Sequence, residues 1–285
     1  WGAALLNTLY AYNTGSDEER TLNKSELYYL VRNVYELQNM QNNPDEQYLL
    51  GRDIDASDTK NWNYGAGFAP IFGNDATNYA FTGVFDGNGF KIKNMYINCP
   101  DGEGVGLFGF TQDATLKNVV LEGGSVTGYS YVGALIGTAM GTIVEGTVND
   151  VSVTGGGEYG QAIGGLVGSA DGSKIVGTAN AEGKGTGIAY DIGGLVGAAT
   201  NNSVVIGFTC TDNKVSGENP NGGVGGLVGN ADNATVKGYN QGTVSLTAGG
   251  LGGNFGGLVG HMGGTATVSG FNLGKVGSDN ATNAG

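Results

Sequence analysis

The chain is poor in the residues that most often announce chemistry. In 285 residues it holds two cysteines, one histidine and four prolines, with 13 basic residues against 26 acidic ones. At a net charge of −13 and without a basic stripe it would repel a phosphate backbone, so nucleic acid is not an expected partner. No apolar run approaches the roughly 18 residues needed to cross a bilayer, and membrane insertion is not expected either. Cys99 and Cys210 lack C-x-x-C spacing and sit in distant segments, so they read as two small, buried, unbridged side chains. No motif for a metal or cofactor is present. Position 1 is Trp and no signal-peptide pattern follows it, so a removed leader or a longer parent protein is expected.

Glycine is what the chain has in excess. Its 57 copies are about a fifth of the residues, yet only nine fall in the first hundred, against a usual share of about 7%. Behind that point a glycine-framed apolar word recurs six times: Gly106-Leu107-Phe108-Gly109, Ala134-Leu135-Ile136-Gly137, Gly165-Leu166-Val167-Gly168, Gly194-Leu195-Val196-Gly197, Gly226-Leu227-Val228-Gly229 and Gly257-Leu258-Val259-Gly260. The closing glycines lie 28, 31, 29, 32 and 31 residues apart. A period near thirty that tolerates small slips belongs to a solenoid, which absorbs length changes in its turns.

Seven residues after each closing glycine comes Leu116, Val144, Ile175, Val204, Val236 or Thr267, with small or polar residues between. Each repeat then reads as a glycine-framed strand, a polar turn, a second strand and a weaker third one such as Val151-Ser152-Val153 or Val244-Ser245-Leu246. This predicts an all-β, right-handed parallel β-helix whose coils stack at about 4.8 Å, with the Leu-Val words forming an inward ladder. Residues 105–285 are the repeats, and residues 47–104 read as degenerate coils. Residues 1–46 form a leading segment ending in a short amphipathic helix. The pair Asn23 and Glu26 has capping-box spacing, and Leu27, Leu30, Val31, Val34, Leu37 and Met40 fall on one helical face until Asn43-Pro44. That helix is placed to cover the sticky open end of the rod. At the other end no amphipathic cap is visible, which favours further coils or another domain downstream.

The six words resemble the GLUG-motif repeats of large secreted bacterial surface proteins, including IgA-protease-like and filamentous-haemagglutinin-like adhesins. The stretches Tyr48-Leu49-Leu50-Gly51-Arg52-Asp53-Ile54-Asp55 and Phe81-Thr82-Gly83-Val84-Phe85-Asp86-Gly87-Asn88-Gly89 are similar to the segment that often precedes such repeats. The resemblance implies a non-enzymatic secreted or cell-surface rod, acting in adhesion or as a spacer. Its partners would be a receptor or glycan on a host or neighbouring cell, or copies and further coils end to end. It carries no catalytic residue onto this chain.

Other classes remain to be weighed. β-Helical lyases need Arg or Lys facing carboxylates, and hydrolases need a carboxylate pair. After residue 100 there is no arginine, and Lys117, Lys174, Lys184, Lys214, Lys237 and Lys275 share no repeat phase. A carbohydrate-binding or carbohydrate-active β-helix stays as the alternative. An ice-binding solenoid would need a regular Thr array that is not seen. Asp53 and Asp55 alternate onto one strand face, where they suit calcium, a sugar or simple turn capping. Trp62 and Tyr64, in Asn61-Trp62-Asn63-Tyr64, suit carbohydrate stacking or packing of the first coils. His261 follows the last word, where other copies carry Phe110, Thr138, Ser169, Ala198 and Asn230, and reads as a solvent-facing turn residue.

Overall fold

The computed structural model describes residues 9–11, 27–73, 80–157, 160–187, 189–217, 222–246 and 254–278. Expectations for residues 1–6, for the cap at Asn23 and Glu26 and for the tail beyond 278 fall outside them. The chain is a parallel β-solenoid with three faces. A middle face stacks six five-residue strands, Phe108–Gln112, Ile136–Met140, Val167–Asp171, Val196–Thr200, Val228–Asp232 and Val259–Gly263. The words do pile up in register. Phe108, Ile136, Val167, Val196, Val228 and Val259 are successive partners down that face. The preceding leucine sits at the corner, where the chain turns, so two consecutive side chains both point inward. From the first word to the fifth both are fully buried, and each such side chain contributes about 1.5–3 kcal/mol.

The other two faces differ from the expected order. The second and third strands of the repeat are one long face, continuous as Thr115–Thr127, Ile143–Gly157 and Lys174–Gly187, and split in two in the later coils. Asn118 (φ 54°) and Asp150 (φ 55°) adopt left-handed backbone within it, and the pairing slips beside Asp150. These residues bend the strand without ending it. The true third face is a strand of two to four residues just before each word, stacking Val105, Val132, Ile163, Ile192, Val224 and Phe255. The phase seven residues after the closing glycine also fails twice. The inward column is Leu116, Val144, Ile175, Val205, Val236, Val268. One extra turn residue, as at Asn201-Asn202, moves Val204 and Thr267 to the outside.

The glycines of the words act through space rather than through unusual dihedrals. A Cβ on Gly168 would sit 2.6 Å from the backbone N of Val132, and one on Gly197 2.5 Å from that of Ile163. The closing glycine thus lets the middle face lie against the short face of the previous coil. A second glycine column, Gly146, Gly177, Gly207, Gly238 and Gly270, faces inward on the long face. A Cβ on Gly177 would meet Leu166 Cδ2 at 2.7 Å and one on Gly207 Leu195 Cδ2 at 2.7 Å, so the corner leucines fill the space left by Gly146, Gly177 and Gly207. At Gly238 and Gly270 the nearest atom is instead the carbonyl oxygen of the preceding coil's glycine.

Towards the N-terminus the long face continues through Val84–Asp86, Gln47–Leu50 and Leu27–Val31, all parallel, and finishes with Leu9–Ala11 antiparallel. The expected helix is therefore shorter than its apolar spacing implied. Leu27–Val31 is a strand, because its aromatic and β-branched run finds a parallel partner in Tyr48-Leu49-Leu50. The helix is Val34–Asn39, followed by a 3-10 turn Met40–Asn42. Asn33 caps it, its Oδ1 accepting the N–H of Tyr35 (3.0 Å) and Glu36 (2.9 Å). Val34, Leu37 and Met40 close the end of the core. The Gln38 amide donates to Ala69 O (2.9 Å) and accepts from Ala69 N (3.0 Å), standing in for a missing coil.

Candidate functional site

The described surface gathers aromatic rings and amides at the capped end. Helix Val34–Asn39 carries Tyr35, Gln38 and Asn39 on the side away from Leu37, and Gln41 follows on the 3-10 turn. Opposite them, Trp62 follows the 3-10 turn Ser57–Asn61, and Asn63 opens a second, left-handed turn, Asn63–Gly65. Together these six residues line an open groove of about 410 Å³. Tyr35 stacks on Trp62 with ring centroids 5.0 Å apart and planes at 29°. Trp62 in turn stacks towards buried Phe68 at 6.4 Å, so the pair is anchored to the core. Tyr35 remains 62% exposed.

Asn63 (φ 50°) and Tyr64 (φ 56°) are both left-handed, a strained state for a bulky residue, worth about 1–3 kcal/mol. Asn63 Nδ2 donates to Gly67 O (2.8 Å), and Trp62 O accepts from Gly65 and Gly67 N. These bonds hold the strained loop in place. Tyr64 is fully exposed but does not line the groove.

Asp53 and Asp55 stand elsewhere, on the outer surface of the long face. Asp53 pairs with Lys93 at 2.7 Å and accepts from Lys91 N (3.0 Å), bonds that hold its carboxyl below the usual range. Asp55 accepts from Ser57 N (3.0 Å) and from Asn94 (3.4 Å), and is lowered chiefly by the Ser57 N–H. Lys91 goes on to pair with Glu122 at 2.5 Å. Both aspartates thus belong to a local ladder of turn caps and ion pairs. Among the described residues no group of three or more His, Cys, Asp or Glu converges as metal ligands.

His261 lies in strand Val259–Gly263, stacked on Asn230, and is a strand residue rather than a turn residue. It is exposed, and Asn254 donates to its Nδ1 at 3.2 Å. Nearby Asp191 accepts from Gly223 N (3.1 Å) and from Asn230 Nδ2 (3.4 Å), while burial pushes its carboxyl above the usual range. Cys99 and Cys210 are free and half-buried. In Asp86-Gly87-Asn88-Gly89 the left-handed positions are Asn88 and Gly89, and Asp86 Oδ1 accepts from Asn88 N (2.8 Å), as a tight turn requires. On the long face Phe208, Tyr239 and Phe271 stack at 5.1 and 5.2 Å.

The groove unites one residue singled out in the sequence, Trp62, with Tyr35, Gln38, Asn39, Gln41 and Asn63. The three-residue spacing of Tyr35, Gln38 and Gln41, opposite Leu37 and Met40, was the available signal for the helical half.

Fold and surface define a glycine-rich parallel β-solenoid, and known proteins share parts of it. No family model matches the chain. Over 142 residues, 48% of this chain, it is 39% identical to halomucin of Haloquadratum walsbyi, of which that stretch is 2%. Over 121 residues, 40% of this chain, it is 35% identical to the "Putative Gly-rich membrane protein" of Evansella cellulosilytica, covering 14% of it. The chain thus matches only a small part of either relative. The crystal structure described as a putative immunoglobulin A1 protease from Bacteroides ovatus superposes with a TM-score of 0.60 at 18% identity, over 88% of this chain and 84% of that one. That likeness is one of fold. No helix among the described residues is long and apolar enough to cross a membrane.

Proposed function

We propose that the chain is a GLUG-type solenoid rod, secreted or displayed at a cell surface, that acts by adhesion and not by catalysis. The observation that carries this reading is the in-register stack of the six words. With the N-terminal strands it forms a stiff column of nine parallel levels on the long face, about 38 Å long at about 4.8 Å per level. Rigid reach is what such a column supplies, with function displayed on its surface. Relatives named halomucin and Gly-rich membrane protein support a place at the cell exterior. The excess of acidic over basic residues supports it as well, because it keeps such a rod soluble and apart from its copies. The scattered lysines and the local pairing of Asp53 and Asp55 favour binding over polysaccharide cleavage. Beads coated with the chain should adhere to cells or to an isolated extracellular matrix, and the chain should release no new reducing ends or unsaturated sugars from polysaccharides. Coated beads that bind no more than bare ones, or measurable turnover, would contradict the reading.

A further inference from the structure

We propose that the groove between helix Val34–Asn39 and the loop at Trp62-Asn63 binds an uncharged sugar unit of a glycan, with the pyranose stacked on Tyr35. The proposal rests on the adhesive reading and supplies its ligand class. Three observations point to it together.

The first is the ring. Tyr35 is fixed from behind by Trp62 at 5.0 Å, and Trp62 by Phe68 at 6.4 Å. A ring already immobilised loses little rotamer freedom when a ligand lands on it. Its free face carries the negative end of the aromatic quadrupole, which suits the C–H face of a pyranose.

The second is the balance of hydrogen bonds. The Gln38 amide is spent at both ends on Ala69. Asn39 Oδ1 accepts from Asn42 (2.6 Å), and Asn63 Nδ2 donates to Gly67 O. What remains unspent among the described residues is the whole Gln41 amide, Asn39 Nδ2, Asn63 Oδ1, the Tyr35 hydroxyl and the Trp62 indole N–H. Sugar hydroxyls donate and accept at once, and a mixed set of amide donors and acceptors is what they require.

The third is charge. No Asp, Glu, Lys, Arg or His lines the groove, and the chain as a whole carries −13. An acidic polysaccharide would find repulsion and no counter-ion, whereas a neutral sugar loses nothing. At about 410 Å³ the groove falls within the roughly 300–1,000 Å³ typical of small-ligand sites. The strained Asn63 and Tyr64 backbone holds Trp62 and Asn63 against the helix, in keeping with the tendency of such strain to gather at binding sites.

The test is titration of the full chain with neutral hexasaccharides of glucose, mannose and N-acetylglucosamine, and with hexagalacturonate, by tryptophan fluorescence and calorimetry. At least one neutral hexasaccharide should bind, and hexagalacturonate should not. Tyr35→Ala and Gln41→Ala should each weaken binding roughly tenfold, and Tyr35→Phe should hold it within about threefold. All three variants should keep the circular dichroism of the parent. Failure of every neutral sugar, preference for hexagalacturonate, or unchanged affinity in Tyr35→Ala would overturn the proposal. Bead adhesion measured in parallel separates the two readings. If Tyr35→Ala beads adhere as well as the parent, adhesion stands and the groove is not its site; if parent beads fail to adhere, the adhesive role falls whatever the sugars do.

Discussion

One interior column is filled by two different chemistries. At the capped end, Tyr48, Phe68, Phe81, Phe85 and Phe108 are fully buried, with Phe81 and Phe108 rings 4.8 Å apart and Phe85 and Phe108 5.5 Å apart. From the second word onwards the apolar core is Leu, Ile, Val, Ala and inward glycine, with a buried hydroxyl ladder Thr142, Ser173, Ser203 at one corner. Along one inward column of the long face it even turns polar, running Leu121, Val148, Ala179, Thr209, Asn240, Asn272. Regular coils can be filled by small side chains repeated in register, since each rung supplies the shape the next one needs. Irregular coils lack that template and need large rings whose volume tolerates imperfect fit. Among the described residues two asparagines are buried: Asn213, whose Oδ1 accepts from Ala181 N (3.0 Å) while its Nδ2 has no partner, and Asn240, which stands in a ladder. Asn240 Oδ1 accepts from Gly242 N (2.9 Å) and from Thr209 Oγ1, and its Nδ2 donates to Asn272 Oδ1 (2.7 Å) and Gly242 O (3.1 Å).

The comparison can be broken most forcibly at the aromatic end. Phe108→Ala should cost about 3–5 kcal/mol, read as a fall in the denaturant midpoint. A loss below about 1 kcal/mol would show that the ring is not a packing element. In the repeats the vulnerable position is a glycine. Gly177→Val puts methyl groups into Leu166, and should cost about 1–3 kcal/mol or more. Gly183→Ala is its control, because its Cβ would meet nothing nearer than 3.8 Å, and it should be neutral or stabilising by about 0.4–1 kcal/mol. Equal losses at the two sites would refute the matched fit of leucine and glycine. Asn240→Ala orphans Thr209 Oγ1 and Gly242 N and should cost about 1–3 kcal/mol in chemical denaturation; a neutral result would mean water replaces the ladder.

The smallest effect concerns Asp191. Its carboxyl is raised by burial in the folded state, so the native form holds the proton more tightly than the unfolded one. Stability from this group is therefore complete below the ordinary carboxylate range and falls as pH rises through the higher folded value. Asp191→Asn should match the parent in acid and exceed it near neutrality, the more so because Asn230 Oδ1 has no partner to lose. A difference in melting temperature that does not change with pH would contradict the assignment.

How much of this was legible depended on period. Six words in phase disclosed the column, because repetition multiplies a weak local signal. The short face stayed hidden, since a strand of two residues such as Ile163–Gly164 has no periodicity to detect. The helix was overextended because Leu27, Leu30, Val31 and Val34 fit a 3.6 period as well as a strand followed by a cap, and only pairing with Gln47–Leu50 decides between them. Thr209 and Asn240 gave no hint of burial, because their polarity is satisfied by neighbouring coils about thirty residues away. Of the groove, Trp62 was visible. Its partner Tyr35 showed only in its three-residue spacing with Gln38 and Gln41, and the fold alone brings the two rings together.

The stacking itself is tested most directly by a distance. Glu145 and Ser269 lie on one outward column, linked through Val176, Ile206 and Lys237. With Cys99 and Cys210 replaced by serine, nitroxide labels on Glu145→Cys and Ser269→Cys should be separated by four rungs. Double electron–electron resonance should then give one narrow distribution near 19 Å, at about 4.8 Å per rung. A broad distribution, or a mean displaced by a rung or more, would contradict a single continuous column.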